Sequence, residues 1–80
     1  MIHELKCWSK PYNSMVAGFK SFEFRKNDRD FKVGDTLKLR EWNNVTQTYS
    51  GKEALFFVIY VMTEGFELPT GYCIMSIIAQ

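Results

Sequence analysis

The stretch GFKSFEFRKNDRDFKVGDTLKLREW, residues 18–42, predicts the architecture of the chain. From Lys20 to Lys26, and again from Thr36 to Trp42, apolar residues alternate with polar ones. An alternation of period two is typical of half-buried strands. The polar segment Asn27–Asp30 separates the two runs and reads as a turn. The stretch therefore predicts two β-strands joined by a short connection.

The residues that precede this stretch predict a strand and a brief helix. Ile2–Cys7 is a short strand candidate. Ser9 is placed to cap a helix over Tyr12–Ala17, with Pro11 tolerated in its first turn. Gly18 is expected to end the helix, since glycine adopts the left-handed conformation without steric cost.

The residues that follow the stretch predict two further strands. Asn43–Gly51 reads as a hairpin connection, and Ala54–Met62 as a central strand that is buried on both faces. Thr63–Tyr72 reads as a loop, and Cys73–Ala79 as a last strand. We therefore expect a mainly β fold, a small closed or half-closed barrel of about five strands with a short helix between the first two strands.

Composition fits one small globular domain over residues 1–80. The chain has 80 residues, of which 46% are hydrophobic, so it is too apolar for intrinsic disorder. Its seven Phe, four Tyr and two Trp are expected to serve mainly as core material. Trp8 and Trp42 could stack on bases, although packing in the core or a cleft wall is the stronger expectation.

Two cysteines, Cys7 and Cys73, are too few for a disulfide scaffold or a zinc ribbon. We expect both to be buried free thiols, and we expect no metal site and no cofactor. The segment Met1–Lys6 lacks the pattern of a signal peptide. The longest apolar run is shorter than the ~20 residues that a membrane helix needs, so a cytoplasmic protein that does not bind membranes is expected.

The charge is unevenly distributed along the chain. The formal net charge is +1, which argues against a globally basic nucleic-acid-binding protein. Residues 20–40 nevertheless hold seven basic side chains against four acidic ones, whereas residues 53–80 hold three acidic side chains and no basic one. A basic patch suits phosphate contacts, and the interleaved acids favour a pocket for one nucleotide over a duplex-binding surface. The alternative is an ordinary solvated face with internal salt bridges.

Four residues of the opening stretch form the pattern G-x-K-x-x-E-x-R: Gly18, Lys20, Glu23 and Arg25. Glu23 and Arg25 lie two apart on a predicted strand, so they project to the same face. Together they offer an acceptor and a planar donor fork, which suits a base edge or a phosphate. The alternative is an exposed ion pair with little effect on stability.

This pattern, with His3-x-Leu5-Lys6 before it and K-N-D-R-x-F-x-V-G-D at residues 26–35 after it, resembles the signature of the ASCH domain superfamily. The resemblance is to a subgroup of small, stand-alone bacterial and phage proteins and extends through almost the whole chain. It implies a PUA-like β-barrel with a cleft beside the helix. It also implies binding of RNA or nucleotides in that cleft.

One branch of that superfamily hydrolyses the amide of N4-acylated cytidines with a Lys, a Thr and a Glu. Lys20 matches the lysine of this set, and Glu23 stands where the threonine is expected. The glutamate would have to come from later in the chain, and Glu64 is the best candidate. A carboxylate beside Lys20 would keep its amine charged, which favours binding over catalysis.

Three functions therefore follow from the sequence. The first is a domain that binds RNA or a nucleotide; the second is an amidohydrolase for acylated cytidine-type nucleosides that uses Lys20 with Glu23 or Glu64. The third is a protein-interaction module, which predicts an exposed apolar patch. His3 is either a cleft residue or a half-buried histidine that bonds the backbone, and Arg29 and Lys38 are expected to contact phosphate at the rim. The expected ligand-binding residues are His3, Lys6, Gly18, Lys20, Glu23, Arg25, Arg29 and Lys38.

Overall fold

The computed structural model describes residues 1–80 and contains five strands and one helix. A mainly β chain with a short helix between its first two strands is thereby confirmed. Its helix lacks the length and apolarity that crossing a membrane requires. The elements are β1 (Ile2–Trp8), α1 (Ser9–Val16), β2 (Phe22–Lys26), β3 (Thr36–Asn43), β4 (Thr48–Met62) and β5 (Tyr72–Ala79).

The five strands form one sheet in the order β1-β3-β4-β5-β2. β1 runs parallel to β3, and every other pair of neighbours is antiparallel. The sheet curls into a half-barrel, so its two edge strands approach each other. Arg25 on β2 donates to the backbone carbonyl of Lys6 on β1, with 2.6 Å between Nη2 and O. The gap between β1 and β2 is called the seam below.

The concave side of the sheet holds a single apolar core. Leu37, Leu39, Cys73 and Met75 are fully enclosed there. The helix covers one end of this core with Tyr12 and Met15, its two buried side chains. The other core members are Leu5, Cys7, Phe31, Phe56, Val58 and Ile77.

The expectation that Ala54–Met62 is buried on both faces is wrong. β4 is central in the sheet, but only Phe56 and Val58 are buried, and Leu55 and Phe57 are about half exposed. A half-barrel made from one sheet has a single interior, and no second layer covers its convex side. The long apolar run therefore reflects a strand with apolar residues on a solvent-facing surface.

The alternation in β2 is correct, but its aromatic face points outward. Phe22 and Phe24 are about half exposed, whereas Glu23 is 5% exposed. The expectation that the aromatic residues mainly build the core is also wrong, because only Tyr12, Phe31 and Phe56 are buried. Much of the remaining aromatic surface lies on the convex side of the sheet. The outer apolar face is defined here as Phe22, Phe24, Phe57, Ile59, Tyr60 and Ile78, all exposed.

The helix begins one residue earlier than a Ser9 cap would place it. Trp8 is the N-cap and makes no side-chain capping bond. The Ser9 hydroxyl instead donates to the Trp42 carbonyl at 3.5 Å. The end of the helix is as expected, since Gly18 has φ +86 and its N–H donates to the Met15 carbonyl at 3.1 Å.

The predicted hairpin connection Asn43–Gly51 is too long. β3 ends at Asn43 and β4 begins at Thr48, so Gly51 lies inside a strand. The side chain of Asn43 accepts from two backbone N–H groups of the turn, at 2.9 and 3.1 Å, which satisfies both donors. An irregular register between Arg40 and Trp42 accommodates the extra residues of β4.

Candidate functional site at the seam

An open cleft of about 370 Å³ lies at the seam. It exists because β1 and β2 are the two edges of the sheet and share no backbone ladder. Residues from β1, from the start of α1, from β2 and from the start of β5 line it. They are Lys6, Cys7, Trp8, Pro11, Glu23, Phe24, Arg25, Lys26 and Tyr72.

Glu23 is the acidic group of the cleft. Its Oε1 accepts from Lys20 Nζ at 3.2 Å, and its Oε2 accepts from Arg25 Nε at 2.9 Å. A buried carboxylate is costly unless it is paired and hydrogen-bonded. Both oxygens meet that condition, so the pair of cations explains why β2 turns its charged face inward.

Lys20 holds Glu23 from the side of the helix. Its Nζ also donates to the Phe22 carbonyl at 2.7 Å and lies 3.8 Å from Met15 Sδ. The same ammonium group is 4.5 Å from the centre of the Phe22 ring. Lys20 and Glu23 are thus brought together as the motif predicts, but Lys20 does not line the cleft.

Arg25 connects the two sides of the seam. Its Nε binds Glu23, and its Nη2 binds the Lys6 carbonyl. Its Nη1 has no hydrogen-bond partner within the protein, so the guanidinium keeps donors for a ligand. Glu23 and Arg25 therefore present an acceptor next to a donor on the cleft wall.

Aromatic side chains stand on both sides of this pair. On the β2 and β5 side, the rings of Phe24 and Tyr72 stack with 5.4 Å between centroids and 19° between planes. Trp8 contributes an indole from the end of β1. Two lysines complete the lining: Lys6, whose Nζ lies 4.0 Å from the centre of the Trp42 ring, and Lys26, which is exposed.

Cys7 lies on the cleft wall as a buried thiol. Burial and, to a lesser extent, the nearby Glu23 carboxylate raise the pKa of its thiol to about 11, although Arg25 and Lys20 act in the opposite direction. The reactive form of cysteine is the thiolate. At neutral pH Cys7 is therefore a protonated, largely apolar group. No three His, Cys, Asp or Glu side chains lie together as a metal site would require.

Several of the expected site residues lie elsewhere. His3 Nε2 donates to Asp35 Oδ2 at 2.8 Å, and the His3 ring packs edge-on against Phe31 with 4.8 Å between centroids. His3 is therefore a buried residue, bonded to a carboxylate and not to the backbone, and it is not on the cleft wall. Glu64 lies in the exposed connection between β4 and β5. It makes no hydrogen bond with Lys20 or Glu23.

The two expected rim residues have partners in the protein. Arg29, in the connection that follows β2, donates from Nη1 to the Glu4 carbonyl at 3.0 Å, which joins that connection to β1. Lys38 lies on β3 with its Nζ 3.7 Å from Glu53. Neither lines the cleft, and Gly18 serves the end of the helix. Within the cleft are three of the expected residues: Lys6, Glu23 and Arg25.

Six residues of the cleft were not among the expected ligand-binding residues, although Trp8 was considered for a cleft wall and Cys7 as a buried thiol. Phe24 and Lys26 flank Glu23 and Arg25, so the motif itself could have indicated them. Tyr72 comes from a distant part of the chain and reaches the cleft because it pairs with Lys26. Pro11 was interpreted only as a helix residue.

These features define a class: a small half-barrel protein with one cleft at the seam between its edge strands. Residues 2–77 match the family described as a domain of unknown function, DUF3850, and the chain belongs to that family. It is also 42% identical over 52 residues to an uncharacterized 12.9 kDa protein in the GpA 3' region of Escherichia phage P2. The match covers 65% of this chain and 46% of the phage protein. The chain thus spans about half the length of the curated relative that it matches.

Proposed function

We propose that the seam cleft binds a nucleotide, either free or as an unpaired residue of single-stranded RNA. The observation that carries this proposal is the combination of aromatic rings on two sides with the Glu23–Arg25 pair between them. A cleft of about 370 Å³ lies within the range of small-molecule sites. Neither the family description nor the name of the phage relative states an activity.

The chemistry of each wall suits one part of a nucleotide. Trp8 on one side and Phe24 with Tyr72 on the other can stack on a base, an interaction that every base supports through its π-face. Glu23 can accept from a ring or amino N–H, and Arg25 Nη1 can donate to a ring nitrogen or carbonyl. Lys6 and Lys26 can contact the phosphate.

The resemblance to the ASCH superfamily supports the same function. Its G-x-K-x-x-E-x-R pattern supplies Glu23 and Arg25 to the cleft and places Lys20 behind them. The resemblance also implies a PUA-like barrel, and a half-barrel with a helix after the first strand is compatible with that. Binding therefore fits both the sequence pattern and the geometry.

The geometry supports hydrolysis less well. The Lys20 ammonium donates hydrogen bonds to Glu23 and to the Phe22 carbonyl. It lies behind the carboxylate and not on the cleft wall. Amide hydrolysis needs a base for water and an acid for the leaving amine. Glu64 is in an exposed connection and Cys7 is protonated, so neither supplies a second catalytic group beside Glu23.

A titration of the isotopically labelled protein tests the proposal. Nucleoside monophosphates and short single-stranded RNAs are added, and amide chemical shifts are followed. We expect shifts centred on Trp8, Glu23, Arg25 and Tyr72, with affinity falling as salt rises. Shifts absent from these residues for every nucleotide and RNA up to millimolar concentration would contradict the proposal.

Trp8→Ala is the most direct variant for this test. Stacking on an aromatic side chain is worth about 1–3 kcal/mol per base, so affinity should fall at least about fivefold while the fold persists. Phe66→Ala is the matched control, because Phe66 is 95% exposed and lies outside the cleft. Equal affinities for the Trp8 variant and the wild type would remove the stacking role.

A further inference from the structure

The convex side of the sheet carries a continuous apolar surface that meets the proposed cleft only at Phe24. On the outer apolar face, Phe57 pairs with Ile78, and Tyr60 and Phe22 pair with Ser76 from opposite sides. The six side chains of this face are 42–60% exposed. Three adjacent strands, β4, β5 and β2, thus present one joined patch.

An irregularity in β4 enlarges this patch. The register between β4 and β5 shifts between Val58 and Tyr60, so Ile59 has no partner residue on β5. Ile59 and Tyr60 are both exposed, although they are consecutive. A bulge of this kind re-aims a side chain, and here it places two large side chains in succession on the convex side.

The face is as large as the largest apolar patch that a soluble monomer usually exposes. Six large side chains that are about half exposed present roughly 600 Å² in all, from about 150–250 Å² for each aromatic side chain. Contiguous apolar patches on soluble monomers rarely exceed a few hundred Å². The protein-interaction alternative derived from the sequence predicts a patch of this kind.

We infer that the outer apolar face is the interface of a homodimer, in which two half-barrels pack convex side to convex side. Two such faces would bury roughly 1,200 Å², the lower end of the range for specific interfaces. Sheets pack face to face through apolar side chains in this way in β-sandwiches.

The distribution of charge favours a second copy as the occupant. The outer apolar face contains no charged side chain, so a two-fold axis through it brings no like charges together. Beside it, on β3 and β4, Lys38 and Arg40 lie 3.7 and 3.3 Å from Glu53. This border carries both signs and can pair with its own copy. A net charge of +1 adds little repulsion between copies.

Light scattering after gel filtration, repeated from low to high micromolar concentration, tests the inference. We expect the wild type to reach twice the mass of one chain. Phe57→Lys places a charge within the face and should weaken the dimer by more than tenfold. Phe66→Lys is the control: it makes the same change at an exposed phenylalanine outside the face, and should stay dimeric.

The outcomes separate this inference from the proposed function. Phe57 is not part of the cleft, so Phe57→Lys should keep the far-ultraviolet circular dichroism and the nucleotide-induced shifts of the wild type. If Phe57→Lys does not fold, Ile78→Lys on the neighbouring strand makes the same test. A monomeric wild type at every concentration would overturn the homodimer and leave the face to another partner. A dimer that both face variants leave intact would overturn it too.

Discussion

Asp35 fastens the first strand to the rest of the molecule through a single carboxylate. It accepts from His3 at 2.8 Å, from the Lys32 N–H at 3.1 Å and from the terminal amine of Met1 at 3.3 Å. Burial acts to raise the pKa of this carboxyl, but the three hydrogen bonds and the positive terminus outweigh it. The pKa of Asp35 therefore lies below its ordinary value of 3.8.

The lowered pKa of Asp35 predicts a loss of stability in acid. A carboxyl with a lowered pKa in the folded state stabilises the fold above its unfolded pKa, and this contribution disappears as pH falls through the folded pKa. We expect Asp35→Asn to lower the free energy of unfolding at neutral pH by about 2 kcal/mol. The difference from wild type should shrink as pH falls below 3.8, as measured by urea denaturation.

Asp30→Asn is the matched control for this prediction. Asp30 is exposed and pairs with Lys32 at 2.8 Å on the surface. Exposed pairs are worth about 0–1 kcal/mol, so this variant should unfold almost like the wild type at any pH. A loss for Asp35→Asn that stays constant into strong acid would show that its carboxylate charge is not responsible.

Glu23 shows where reasoning from single residues stops. Its spacing from Arg25 correctly predicted that the two share a face. The spacing did not predict which face is interior, because charged residues normally face water and aromatic residues the core. Lys20 and Arg25 together offset the free-energy cost of burying the Glu23 carboxylate. This depends on three side chains that meet only in the folded structure.

At the scale of elements, the end of α1 depends on Gly18. Gly18 has φ +86, and its N–H and the N–H of Phe19 donate to Met15 and Ser14, which closes the helix. A Cβ at this position would meet no atom within 4 Å, so substitution costs backbone strain alone.

We therefore expect Gly18→Ala to lower the free energy of unfolding by about 1 kcal/mol, because alanine disfavours positive φ. Asparagine tolerates this conformation better, so Gly18→Asn should lose less than Gly18→Ala. Thermal unfolding followed by circular dichroism measures both variants. Equal losses for alanine and asparagine would show that φ is not the cause.

Strands were easier to predict from the sequence than their ends. β1, β3 and β5 lie within a residue or two of their predicted ranges, since each alternates clearly between apolar and polar residues or ends at a turn. β2 begins two residues late and β4 begins six residues early. The polar first part of β4, Thr48–Glu53, has no apolar alternation, and it is a strand because Trp42 and Asn43 of β3 pair with it.

At the scale of the whole molecule, the cleft depends on strand pairings that no local pattern reveals. The walls of the cleft come mainly from β1, β2 and β5. These strands face each other across the cleft because β1 and β2 are the two edges of the curled sheet. The basic segment 20–40 does not form one surface either. Lys20, Arg25, Lys32, Lys38 and Arg40 all have acidic partners, as the alternative of internal salt bridges predicts.

The order of the strands also sets the route by which the chain reaches this fold. β3, β4 and β5 pair with neighbours along the chain, whereas Ile2 must find Thr36 and Phe22 must find Ser76. Contacts between residues distant in sequence form late, because closing the long loop costs entropy before the contact stabilises the chain. We expect the hairpins of β3, β4 and β5 to form the folding nucleus and the first 26 residues to dock afterwards. In stopped-flow experiments, Leu5→Ala should then mainly speed unfolding, while Leu39→Ala should slow folding.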